Sequence, residues 1–194
     1  MCSSDLPGLR DLQAPAALGD LLKRVMATRE RLAAAGGPRR PLIVKLSPDV
    51  AEADLAPIVE VLGAHGVDGI AVSNTTLSRR GVEGNAASKE AGGLSGRPLF
   101  HRSTVVLARV HRLTGGRIPL IGIGGIDSPA AAQAKIEAGA TLLQLYTGLV
   151  YEGAGLIGRI KAHLADVCAR EGLSSLTPLI GRHAPTWAAR EIDA

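Results

Sequence analysis

Four short aliphatic runs, each followed by helical periodicity, constrain the fold of this chain more than any other feature. They are Leu42-Ile43-Val44-Lys45-Leu46, Gly69-Ile70-Ala71-Val72-Ser73, Pro119-Leu120-Ile121-Gly122-Ile123 and Thr141-Leu142-Leu143-Gln144-Leu145. Near-continuous apolar runs of this length predict buried strands rather than half-exposed ones. After the first run, Ser47-Pro48-Asp49 signals a helix start, and Leu55, Ile58, Val59 and Leu62 recur at helical spacing. After the third, Asp127-Ser128-Pro129 predicts a capped helix through Ile136 that ends at Ala138-Gly139. After the fourth, Leu156, Ile160, Leu164 and Val167 form one apolar stripe. A further helix, spanning about Ala14 to Ala35, precedes the first run. The order is α(βα)₄, which predicts a parallel sheet with helical crossovers.

Composition narrows the function classes. Aromatic residues make up 2% of the 194, so the core is built from Ala, Val, Leu and Ile. The net charge of +4 is scattered over Arg39-Arg40, Arg79-Arg80, Arg97, Arg102, Arg109 and Arg112. Nucleic-acid readers gather such charge on one element and interleave aromatics for stacking, so no nucleic-acid partner is expected. An anionic small ligand suits the charge better. Cys2 and Cys168 are too far apart for a disulfide framework or a zinc site, and Cys168 is expected to be a small core residue. His65, His101, His111, His163 and His183 show no metal-ligand spacing and are expected at the surface, so no metal is predicted. No apolar run approaches the ~18 residues of a membrane span, and the chain reads as soluble. Residues 1–6, Met1-Cys2-Ser3-Ser4-Asp5-Leu6, are expected to be a non-native scar, because codons for Cys-Ser-Ser-Asp-Leu also spell the end of a common sequencing adapter. Residues 7–194 then form the domain.

Four βα units fit half of an eight-stranded barrel or an open doubly wound sheet. Polar placement favours the barrel. Lys45, Ser73-Asn74, Gly124-Gly125 and Tyr146-Thr147 all fall at the C-terminal ends of strands, where barrels build their sites. The dinucleotide alternative needs G-x-G-x-x-G after the first strand, and Gly122-Ile123-Gly124-Gly125 matches neither pattern nor position.

Each candidate residue has a bland and a sharp reading. Lys45 is either an edge lysine with a buried stem or a cation held against a cofactor that becomes anionic on reduction. Ser73-Asn74-Thr75-Thr76 is either a hydrogen-bonded turn or a set of donors and acceptors for a ligand bearing amides and a carboxylate. Gly92-Gly93-Leu94-Ser95-Gly96-Arg97-Pro98 closes a polar loop of unusual length before a helix and is either a linker or a source of backbone N–H donors. Gly122-Ile123-Gly124-Gly125 and Tyr146-Thr147-Gly148 together have the look of the phosphate site that barrels form after their last two strands.

With these motifs in order, the chain resembles the quinone-dependent, class 2 dihydroorotate dehydrogenases. The resemblance rests on PGLRDLQ (Pro7–Gln13), VKLSPD (Val44–Asp49), DGIAVSNTTLSR (Asp68–Arg79), GGLSGRPLF (Gly92–Phe100), IPLIGIGGIDS (Ile118–Ser128) and GATLLQLYTGLVYEG (Gly139–Gly153). It implies an α/β fold, the TIM (β/α)8 barrel, here the C-terminal half with strands 5–8 and their helices. It also implies FMN as cofactor, oxidation of dihydroorotate to orotate in pyrimidine synthesis, and ubiquinone or menaquinone as acceptor. By this resemblance Lys45, Ser73, Gly96, Gly125, Tyr146 and Thr147 bind FMN, while Asn74 and Thr75 bind the pyrimidine. Ser3 falls on the catalytic base and Asp5 on a substrate-binding asparagine, within a segment that departs from the family pattern. The family locates to the cytoplasmic side of the bacterial inner membrane through a preceding N-terminal region. A different phosphate-binding barrel oxidoreductase and a non-catalytic half-barrel binding module are the alternatives.

Overall fold

The computed structural model describes residues 10–193. Ser3 and Asp5 therefore lie outside the described residues. Four strands, β1 (Ile43–Leu46), β2 (Gly69–Val72), β3 (Leu120–Ile123) and β4 (Leu142–Gln144), form one sheet in the order β1-β2-β3-β4. All three pairings are parallel. The helices are α1 (Pro15–Ala34), α2 (Glu52–Ala64), α3 (Phe100–Thr114), α4 (Pro129–Glu137), α5 (Thr147–Glu152), α6 (Gly155–Glu171) and α7 (Ala184–Ala188). Sequential strands lying side by side, joined by helical crossovers, make part of a (β/α)8 barrel. A doubly wound sheet would instead reverse its strand order at a switch point.

The register gives the sheet two unlike faces. Lys45 stands opposite Ala71, Ala71 opposite Ile121, and Ile121 opposite Leu142, so these residues form one row across one face. Residues of the other face, Leu46, Ile70, Val72 and Leu120, are at most 1% exposed. They belong to a cluster with Leu55, Ile58 and Leu62 of α2 and Val106, Leu107 and Val110 of α3. A second cluster joins Ala132 and Ile136 of α4 to Leu156, Ile160, Leu164 and Val167 of α6. The predicted stripe of α6 is thus the face it buries.

Local signals act as the sequence suggests. The Ser128 side chain accepts a hydrogen bond from the Ala131 N–H at 3.2 Å and caps α4, with Pro129 at its first position. The expected single helix after β4 is two, because Gly153 takes φ 70° and breaks it between α5 and α6. Cys168 is only partly buried, since it sits one residue off the α6 stripe, at its margin. Of the histidines, only His183 is exposed. His111 is partly buried because the backbones of Gly139 and Gly181 pack directly on its ring, and burial lowers its pKa.

The C-terminal segment is tied back onto the body. Trp187 stands edge-on to Phe100 with ring centroids 6.0 Å apart. Arg109 donates to the carbonyls of Ala188 and Arg190 at 3.1 and 3.0 Å. Glu137, at the end of α4, accepts from Arg182 Nη2 at 2.6 Å and from Gln133 at 2.7 Å, and it lies 2.8 Å from His183 Nδ1. Among the described residues, no helix is long and apolar enough to cross a membrane.

Candidate functional site

The C-terminal ends of the four strands open into one cleft of about 480 Å³. Each strand delivers its residues there because its next turn begins at that end. β1 brings Lys45, an exposed side chain that forms no ion pair among the described residues. β2 leads to Ser73, Asn74 and Thr75. The backbone at this point is fixed from both sides: the Asn74 N–H donates to Leu46 O at 2.8 Å, and the Ser73 N–H donates to Ile123 O at 3.3 Å. Ser73 and Asn74 are 1% and 7% exposed, and the Ser73 hydroxyl donates to the Asn74 carbonyl at 3.0 Å.

The long loop after β2 is ordered around two side chains. Asp49 accepts from the Thr76 hydroxyl at 2.5 Å and from the Leu77 N–H at 2.8 Å, and Arg102 braces it at 3.3 Å. Arg79 donates to the carbonyls of Ser88, Glu90 and Gly92 at 2.6–3.0 Å, gathering the loop onto one guanidinium. Thr76 and Leu94 then pair antiparallel, and this brings Ser95 and Gly96 to the cleft. The loop is therefore a built wall of the site rather than a linker.

Three glycine-bearing turns converge on the far side: Ser95-Gly96, Gly124-Gly125 and Tyr146-Thr147-Gly148. Gly124 and Gly125 have φ of 102° and 70°, the left-handed region that side chains disfavour. A Cβ on Gly125 would lie 2.6 Å from Phe100 Cα, and one on Gly148 would strike the Ile126 carbonyl. The turns can pack this closely only as glycine. The Ser95 and Thr147 hydroxyls are hydrogen-bonded to each other at 2.9 Å across the gap. Among the described residues, the N–H groups of Gly96, Gly125 and Thr147 donate to no backbone carbonyl, which leaves donors for a ligand. Such a cradle of backbone N–H groups matches a phosphate. At the rim, Arg97 pairs with Asp127 at 2.6 Å, and the carboxylate raises the guanidinium pKa.

Every residue expected to bind FMN or the pyrimidine and lying in the described part of the chain is a neighbour of this one cleft: Lys45, Ser73, Asn74, Thr75, Gly96, Gly125, Tyr146 and Thr147. Tyr146 is 80% exposed, so it forms a rim rather than a floor. Gln144 also lines the cleft and is exposed. It is the polar residue within an aliphatic run, the same signal that marks Lys45 in β1. Lys135 is a second omission. It lies behind the glycine turn and is fully buried. Its setting, Ala-Gln-Ala-Lys-Ile-Glu, reads as an ordinary solvated helix face, so only tertiary packing reveals its burial. Among the described residues, no group of His, Cys, Asp or Glu side chains could hold a metal ion.

Comparison with known proteins supplies the context. Residues 1–168 match the family model described as dihydroorotate dehydrogenase. A dihydroorotate dehydrogenase (quinone) of Brucella ovis is 50% identical over 190 residues, covering 98% of this chain and 52% of the relative. The protein of the same name from Rhizobium rhizogenes is 47% identical over the same shares. The chain thus spans about half the length of the curated relatives it matches. A crystal structure of DHODH from Eimeria tenella in complex with ferulenol superposes with a TM-score of 0.84 at 30% identity, covering 91% of this chain and 50% of that one. The ligand-free form gives 0.82 at 31% identity, covering 90% and 52%.

Proposed function

The chain belongs to the dihydroorotate dehydrogenase family, and from that premise we propose that it carries the C-terminal half of the cofactor and substrate site of an enzyme oxidising dihydroorotate to orotate. The acceptor in this reading is ubiquinone or menaquinone, and the pathway is pyrimidine synthesis. The observation that carries the proposal is the convergence of Lys45, Asn74, Gly125 and Thr147, from four separate strand ends, on one cleft. FMN fits the residues present: the N–H groups of Gly96, Gly125 and Thr147, which donate to no backbone carbonyl among the described residues, suit the phosphate end.

A bound FMN supplies acceptance of two electrons from the substrate and their release to the quinone. The protein supplies position and charge. Lys45 brings a cation to the part of the cleft where negative charge develops, and Ser73 and Gly96 line its walls. Gly125, Tyr146 and Thr147 hold the phosphate end. The Asn74 amide and the Thr75 hydroxyl offer both donors and acceptors, which suits a pyrimidine bearing amides and a carboxylate. Ser3 stands where the family has the base that removes the C5 proton. Asp5 takes the place of a substrate-binding asparagine, where its charge would repel an anionic product. Attachment to the cytoplasmic face of the inner membrane would come from residues that precede this half in the family.

The test compares the 194-residue chain with the same chain joined to the N-terminal half of the Brucella ovis relative. The expected result is FMN bound by the joined protein and dihydroorotate:quinone turnover. Bound FMN with no dihydroorotate oxidation would overturn the assignment.

A further inference from the structure

We propose that Lys135 is a positioning residue that aims the backbone N–H groups of Gly124 and Gly125 at the cofactor phosphate from behind the site. The proposal rests on the flavin reading above and deepens it.

Lys135 lies on α4 and is fully buried. Its Nζ donates to Ser103 Oγ at 2.5 Å and to the Ile123 carbonyl at 3.4 Å, and it stands 5.3 Å from the centre of the Phe100 ring. Ser103 Oγ lies in turn 3.3 Å from the Gly124 carbonyl and 3.2 Å from that of Phe100, either of which accepts its proton. The lysine contact ends on a peptide group of the glycine turn, and Ser103 reaches a second one at Gly124. The Ile123 carbonyl shares its peptide unit with the Gly124 N–H. The Gly124 carbonyl shares its own with the Gly125 N–H. A donor placed on a peptide oxygen polarises that unit and strengthens its N–H toward an acceptor on the other side. The Lys135 amine therefore acts on the anion cradle through peptide groups of the turn, directly at Ile123 and through Ser103 at Gly124, without entering the cleft.

The location argues that the amine is kept for more than folding. Among the described residues no carboxylate pairs with it, and burial alone pushes its pKa well below the usual lysine range. A lone buried amine costs free energy, while a methionine of similar length would fill the same space without that cost. The groups that do face it are the Ile123 carbonyl, the Ser103 hydroxyl and the ring of Phe100, whose backbone abuts Gly125. All of them belong to the architecture of the cradle.

The prediction is a change in selectivity, read without turnover. In the 194-residue chain, dissociation constants for FMN and for riboflavin, which lacks the phosphate, are measured by quenching of flavin fluorescence. Lys135→Met is expected to weaken FMN about tenfold, as loss of a buried hydrogen bond does, while leaving riboflavin unchanged. The same variant is expected to melt at a higher temperature than wild type. Ser103→Ala should lose part of the FMN preference and carries the comparison if Lys135→Met does not fold. Equal weakening of both flavins would mean a merely structural lysine, and unchanged FMN binding would mean no role. Either result overturns the proposal. If wild type binds neither flavin, the flavin reading fails, and inorganic phosphate then decides the Lys135 proposal. Phosphate-induced shifts of the Gly124 and Gly125 amide resonances in wild type, lost in the variants, would support it. No shifts, or identical shifts in wild type and variants, would overturn it.

Discussion

The two faces of the sheet are made from the same strands and have opposite fates. On the helix-covered face Leu46, Ile70 and Val72 are wholly enclosed. On the other, Ile43 and Leu142 are 46% and 61% exposed, and Lys45 and Gln144 are open beside them. Apolar residues interleaved along one buried-type run normally meet partners on both sides. The covered face is a finished core, whereas the open face has the composition of a barrel interior. That matches a chain that spans about half of its relatives. The site sits where the two faces meet, at the strand ends, which is why its residues can be positioned although one wall of the barrel is not among the described residues.

Substitutions sharpen this contrast, from the largest expected effect to the smallest. Ile70→Ala, in the enclosed face, should lower stability by about 2–5 kcal/mol in chemical denaturation, because it leaves a cavity that helices on one side cannot refill. Glu137→Gln, at the tie between α4 and the C-terminal segment, should cost about 1.5–3 kcal/mol at neutral pH, since Arg182 loses a charged acceptor. Its pH dependence has a definite sign. Burial works to raise the Glu137 pKa, but hydrogen bonds from Gln133 and Arg182 outweigh it and leave the pKa below the usual glutamate value of 4.5. Such a carboxyl stabilises the fold above its unfolded pKa and loses that contribution as pH falls through its lowered value. Melting temperatures of wild type and Glu137→Gln should therefore converge on acidification below about pH 4.5. A gap that stays constant would break the assignment of Glu137 as the ionised hub.

Leu142→Ala, on the open face, should cost less than about 1 kcal/mol in this chain. In the protein joined to the N-terminal half, the same substitution should cost as much as a core residue does. Equal small costs in both proteins would show that the open face is not a barrel interior. Lys45→Ala should change stability least, by within about 0.5 kcal/mol, while sharply lowering the rate of flavin reduction in the joined protein. Unchanged reduction kinetics would remove Lys45 from its proposed role.

Much of the fold is legible from local physics. Aliphatic runs marked the strands to within a residue at each end, and Ser128-Pro129 marked the start of α4 because capping is a property of a few neighbouring atoms. The break between α5 and α6 was less visible, since Gly153 could equally have been an interior glycine until its backbone conformation was known. The long loop reads as functional by its length alone. That Arg79 organises it depends on carbonyls up to thirteen residues away, which no local pattern encodes.

The two lysines show where that boundary lies. Lys45 announces itself in the sequence, because a charge inside Ile-Val-Lys-Leu contradicts its own strand, and the structure leaves it exposed at the cleft. Lys135 contradicts nothing locally, yet it is the fully buried one. The sequence by itself determined the alternation of strands and helices, the glycine turns at strand ends and the membership in one family, all of which follow from neighbours along the chain. Only the tertiary structure decided which face of the sheet is closed and which lysine lies beneath the turn. Burial is decided by what packs across from a residue, and for Lys135 that partner is Ser103 of α3, thirty-two positions away.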